Sequence, residues 1–245
     1  MENRKYGWIK DKEDKRDFLY KLDPSVVLPP SVDLRPQCPK VYDQGQEGCC
    51  TGEAIASAIE FDLMKQGLTD FTPAVQFIYF NERRIEHTTK KDVGAMIRDG
   101  IKATAKWGVC PDSMWPLTSE NLTIKPPCSV YKVALKDIIT KYERLTGLLA
   151  CKNVLAKGYP FPFGFTVFES FESDAVAKTG IVPMPGPGER ILGGHAVQGS
   201  GYFDSNNRVI VKNSWGPDFG DHGYFYLPYE FIDKRLAFDF WVLQN

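Results

Sequence analysis

The hydrophobic pattern changes its period near residue 160, and this change constrains the fold more than any other feature of the chain. Before it, apolar residues recur at helical spacing. Ile55, Ala58, Ile59 and Leu63 lie at i, i+3, i+4 and i+8, the stripe of a helix with one buried face. This helix is expected to begin near Cys50 and to stop at Gly67. A second helix is expected from Pro73 to about Ile85, and a third from about Met96 to Trp107. Pro111, Pro116, Pro126 and Pro127 break the stretch 109–130, and a last helical segment is expected near 148–157. Beyond residue 160 the runs read as strands: 161–168, 195–203, 208–213, 224–227 and 238–243. Asp204-Ser205-Asn206-Asn207 is a turn cluster joining two of them. Helices first and strands afterwards predict an α+β fold with two lobes. The 245 residues, 43 % of them hydrophobic, are enough for such a core.

Charge and cysteine usage exclude several function classes. The net charge is −1 and the basic residues are scattered, so neither a nucleic acid nor a membrane surface is an expected partner. No apolar run approaches the ~20 residues of a membrane span, and the charged stretch 1–21 has no apolar signal-like core. Six cysteines without a C-x-x-C pair, and only three histidines, give no zinc pattern. Reduced thiols are expected, with a slight preference for the cytoplasm. Residues 1–30 form a charged lead-in ending at Leu28-Pro29-Pro30. Its Tyr6, Trp8, Ile9, Phe18, Leu19 and Tyr20 are too apolar for a free tail, which predicts that the segment packs on the body and shields part of any cleft.

Three segments carry chemistry together. Gln44-Gly45-Gln46-Glu47-Gly48-Cys49-Cys50 puts thiols at the start of a helix, where unpaired N–H groups and the helix dipole favour thiolate. Position alone does not say which of the two cysteines is chemical. Gly193-Gly194-His195 opens a strand after a loop, and Asn213-Ser214-Trp215-Gly216 ends the next one. A hairpin turning at 204–207 would bring His195 and Asn213 to the same end. Asn213 could then fix the imidazole tautomer and aim its other nitrogen at a thiol.

These segments, in this order, resemble the papain-like cysteine peptidases, the family that includes the cathepsins; the resemblance runs from about residue 31 to 243. It implies a helical lobe over about 31–130 and an antiparallel, barrel-like β lobe over about 131–245, with the active site in the cleft between them. It further implies Cys50 as nucleophile, His195 as its proton partner, Asn213 as orienter and Gln44 as side-chain donor of the oxyanion hole. Spacing from Gln44 selects Cys50 over Cys49. Trp215 resembles the tryptophan that covers the His–Asn pair, and Gly94 the glycine where substrate backbone pairs as a strand. The implied activity is hydrolysis of peptide bonds in peptide or protein substrates through an acyl-enzyme, as an endopeptidase and a monomer, with no metal or organic cofactor. The chain departs from the family pattern at Glu47, where a disulfide-forming cysteine is common, and at Thr51, where an aromatic usually follows the nucleophile. The competing reading is a catalytically silent papain-like scaffold with a binding or structural role.

Overall fold

A computed structural model describes residues 4–68 and 71–244 of the chain; residues 1–3, which open the predicted lead-in, and Asn245, which closes the predicted β lobe, lie outside it. Seven helices occur among the described residues: α1 (Cys50–Lys65), α2 (Val75–Ile85), α3 (Ile97–Trp107), α4 (Cys128–Ala134), α5 (Gly147–Ala156), α6 (Asp174–Thr179) and α7 (Glu230–Asp233). The strands are β1 (Ser31–Asp33), β2 (Lys141–Arg144), β3 (Phe161–Phe168), β4 (Ile191–Phe203), β5 (Arg208–Lys212), β6 (Tyr224–Pro228), β7 (Ala237–Phe238) and β8 (Trp241–Gln244).

Helix α1 is buried on nearly every side from Cys50 to Leu63. A helix in that position is the spine of its lobe rather than a surface element. It ends where Gly67 takes φ 65° and the N–H of Leu68 bonds back to the Leu63 carbonyl at 3.1 Å, a left-handed stop that glycine adopts without strain. Helices α2 and α3 pack on α1 at close range. A Cβ at Gly100 would lie 2.3 Å from the Glu82 carboxylate and 2.4 Å from Ile55, so only glycine permits that approach.

The second lobe is an antiparallel sheet in the order β6-β5-β4-β3-β7, with β1 added on β4. Phe161, Phe163 and Phe165 alternate along β3 onto one face and are fully buried with Phe171, Phe225, Phe231 and Phe240. Each such ring contributes about 1.5–3 kcal/mol of burial. Strand β8 pairs with β2, and its Trp241 and Leu243 join the core around α1, so the chain returns to the helical lobe at its far end.

Several boundaries differ from the sequence reading. Strand β4 starts at Ile191, so Gly193 and Gly194 lie inside it rather than in a loop before it. The run 238–243 is divided at Asp239, which takes φ 56°. Helix α4 begins directly after Pro127, in a stretch expected to be irregular; proline suits a helix start because its missing N–H has no partner there anyway.

Candidate active site

The hairpin of β4 and β5 performs the juxtaposition expected of it. Gln198 pairs with Lys212, which brings His195, three residues earlier on β4, and Asn213, one residue past β5, to the same end. His195 Nε2 and Asn213 Oδ1 are 2.8 Å apart. Asn213 Oδ1 also accepts the N–H of Ser214 at 2.9 Å, which fixes the amide oxygen toward the ring. The imidazole therefore carries its proton on Nε2, and Nδ1 is buried without a hydrogen-bond partner. Trp215 stacks on the ring at 5.0 Å between centroids, with 27° between planes, and excludes water from the pair.

Cys50 opens α1 across the interface. Its Sγ accepts the N–H of Ala196, the residue after His195, at 3.4 Å. The thiol of Cys49 instead faces Glu53 at 3.9 Å. Gln44 is held by the Ser214 hydroxyl, which donates to its Oε1 at 2.7 Å. Its amide nitrogen, directed away from that contact, donates to the Glu47 carbonyl at 2.8 Å and approaches the Lys5 carbonyl at 3.4 Å. Sequence reasoning missed Ser214, a small polar residue whose partner Gln44 is 170 positions away.

The cleft is occupied by the chain's own N-terminal segment. The N–H of Trp8 donates to the Gly194 carbonyl at 3.0 Å, Ala95 donates to the Gly7 carbonyl at 2.8 Å, and Ile9 donates to the Ala95 carbonyl at 2.9 Å. The segment fits because glycine lines its path. A Cβ at Gly94 would lie 2.1 Å from the Gly7 carbonyl oxygen, and one at Gly164 would lie 2.0 Å from the Trp8 indole. Tyr6 lies over both His195 and Trp215, with its hydroxyl on Glu172. The predicted site residues Cys50, His195, Asn213, Gln44 and Trp215 thus converge, and Gly94 borders the cleft where the segment runs.

Behind this plug, residues 10–20 form a strap held by buried charge. Asp11 accepts the Arg98 N–H at 3.1 Å and the Trp241 Nε1–H at 3.0 Å, and its own N–H donates to Asp239 at 2.7 Å. Arg144 bridges Asp11, Asp17 and Asp239 at 3.3, 3.1 and 2.6 Å. Trp8 and Tyr6 dock as expected, but Ile9, Phe18 and Leu19 are largely exposed. Much of the anchoring falls to Asp11 and Asp17, two members of the charged lead-in.

Burial sets the protonation states. It pushes the Cys50 thiol up to about 12, and N–H groups of Ala196 and Gly7 offset only part of that. It also drives His195 down to about 4 against the hydrogen bond to Asn213. Burial thus works against the thiolate expected at the helix start.

A sequence profile described as papain family cysteine protease matches residues 28–233. The chain belongs to this family. It is 40 % identical to an uncharacterised peptidase C1-like protein of Acanthamoeba polyphaga mimivirus, across 99 % of this chain and 88 % of that one. It is 41 % identical to xylellain, a cysteine protease from Xylella fastidiosa, and superposes on its crystal structure with a TM-score of 0.93 over 100 % of this chain and 98 % of that one. A procathepsin B from Trypanosoma congolense, 16 % identical, shares the fold at a TM-score of 0.76, with 96 % of this chain and 84 % of that one covered. The helical lobe, antiparallel sheet lobe and intervening cleft are those of the family, whose substrates are peptides or proteins.

Proposed function

We propose that the chain is a monomeric endopeptidase that cleaves peptide bonds through Cys50, His195 and Asn213, and that residues 4–9 hold it in a self-blocked state. One observation carries the reading: the buried Nδ1 of His195 has no partner, while Nε2 is engaged by Asn213 and the Cys50 thiol lies beside Ala196. An unpaired buried acceptor costs about 1–3 kcal/mol. A binding scaffold has no use for that cost, whereas a proton acceptor for a thiol requires a vacant lone pair.

With the plug displaced, Nδ1 takes the Cys50 proton and the thiolate sulfur bonds to the substrate carbonyl carbon. The carbonyl electron pair moves onto oxygen, where Gln44 Nε2–H and the backbone N–H of Cys50 receive it. Collapse breaks the C–N bond as the imidazolium returns its proton to the leaving amine. Water, deprotonated by Nδ1, then releases the acid and restores the thiol. The Lys5 carbonyl near Gln44 and the Gly7 N–H facing the thiol are contacts of the plug with these same groups, which supports occlusion of the reacting centre. An endopeptidase rather than an exopeptidase is favoured because no insertion in the sequence closes one end of the cleft.

The test is labelling with an electrophilic peptidyl thiol trap. Over an incubation long enough to sample displacement of the plug, wild type and Cys49→Ala should be modified at residue 50, and Cys50→Ala should not. Labelling that persists in Cys50→Ala and vanishes in Cys49→Ala would reject the assignment.

A further inference from the structure

Asp92 lies beside the segment that precedes Cys50, and its geometry suits a ligand rather than a structural bridge. One carboxylate oxygen accepts the Gly48 N–H at 3.0 Å and the other accepts the Tyr79 hydroxyl at 2.5 Å. Tyr79 is itself fixed, because its oxygen accepts the Gly94 N–H at 3.0 Å. The body of the enzyme thus aims this carboxylate without help from the plug. The third contact comes from the plug: the Lys5 ammonium donates to Asp92 at 2.5 Å. The aspartate side chain is 7 % exposed and the lysine side chain 47 %, so a nearly buried carboxylate is met by a lysine that reaches it from the solvent side.

The same residue supplies a second contact. The Lys5 carbonyl lies 3.4 Å from Gln44 Nε2, the amide assigned above to the reacting carbonyl oxygen. A single lysine therefore places its carbonyl near the hole and its ammonium on Asp92. We propose that Asp92 is a specificity-determining residue that selects lysine or arginine at the position whose carbonyl is attacked, with Lys5 occupying this subsite as an internal mimic of the substrate.

Supporting electrostatics agree. Burial alone would raise the Asp92 carboxyl, but hydrogen bonds from Lys5, Tyr79 and Gly48 hold it below its ordinary value. Two of these three donors remain when Lys5 leaves, so the carboxylate stays oriented toward an incoming cation.

The inference rests on the peptidase reading, and its test separates the two. In the full-length chain carrying Lys5→Ala, Asp92 has no resident cation. Two fluorogenic peptides, differing only in lysine or glutamine before the scissile bond, compete for this enzyme. The ratio of their kcat/KM values is independent of the fraction of molecules with the plug displaced. We expect the lysine peptide to be preferred by about 10- to 100-fold, an added Asp92→Asn to bring the ratio near one, and Asp92→Glu to retain a preference. A ratio near one with Asp92 intact, or a preference that survives Asp92→Asn, would overturn the assignment. Cleavage of neither peptide, by this variant and also by the chain lacking residues 1–9, would instead overturn the peptidase reading.

Discussion

The backbone of Trp8 runs parallel to that of Ala95, and the two are joined by hydrogen bonds of 2.8 and 2.9 Å through Gly7 and Ile9. This pairing turns the edge beside Gly94, an available surface for an extended peptide, into the seat of the chain's own segment. The plug holds by main-chain bonds at this edge and by the Trp8 ring in its glycine slot. The strap holds by charge some distance away. The two parts should be separable by experiment.

Deleting residues 1–9 removes the plug and leaves Asp11 and Asp17 in place. We expect kcat/KM on a peptide substrate to rise at least about 10-fold, with a loss of stability of about 2–3 kcal/mol from the Trp8 side chain. Deleting residues 1–28 also strips the partners of Arg98, Arg144 and Asp239 and should lower Tm far more. Steady-state kinetics and thermal denaturation of the two truncations measure both effects. Equal kinetics in the full chain and the shorter truncation would eliminate the plug.

Thiol reactivity should report the same occlusion. In the full chain the Cys50 thiol is raised to about 12, so alkylation by iodoacetamide should be slow at pH 7 and accelerate into the alkaline range. Rehydration on removing residues 1–9 favours the charged forms, lowering the thiol and raising His195. The rate profile against pH should then shift toward neutrality.

Ser214 is expected to act as a positioning residue for Gln44. Ser214→Ala removes the 2.7 Å bond that orients the Gln44 amide without touching the thiol or the imidazole. The expected result is a fall in kcat of about 5- to 30-fold, corresponding to about 1–2 kcal/mol. KM for the peptide should change little, and Ser214→Thr should recover part of the loss. Parallel steady-state measurements on the three proteins would decide it.

The strap should tighten on acidification. Burial, with Asp239 nearby, raises Asp11 to about 6 from an ordinary value of 3.8. The folded protein therefore binds the extra proton between those values, and this group's contribution to stability is full below about pH 4 and declines as pH rises through 6. In Asp11→Asn that slope should become shallower, because burial also raises the Asp239 carboxyl, which keeps a share of it. Stability at pH 7 should drop by about 1–3 kcal/mol, because an amide N–H₂ must then face donors from Trp241, Arg98 or Arg144. Denaturant titrations of both proteins between pH 4 and 7 would measure the slope.

What could be read from the sequence follows the range of the interactions. Strand β3 and helices α1 and α3 were legible because their periodicity is local, and the 204–207 turn set the hairpin that pairs His195 with Asn213. The roles expected of Gln44 and Cys50 came from resemblance, and the approach of Cys50 to Ala196 follows from the packing of α1 against β4. The strap was not legible. Asp11 meets partners 87 and 230 positions away, and an aspartate among lysines carries no sign of burial. Strand β2, Lys-Tyr-Glu-Arg, has no alternation to mark it and exists because β8 pairs with it.

The receptor for Asp11 is assembled from Arg98, Arg144, Asp239 and Trp241, whereas Cys50, His195 and Asn213 are all translated before Asp239. A nascent chain consequently carries the proposed reactive groups and the main-chain seat of the plug before it carries the seat of the strap. Synthesis runs at roughly 5–20 residues per second, so the interval between Asn213 and Trp241 lasts seconds. During it, the plug holds without the strap behind it. Probing ribosome-stalled chains ending beyond residue 213 and beyond residue 241 with the same thiol trap would time when restraint begins.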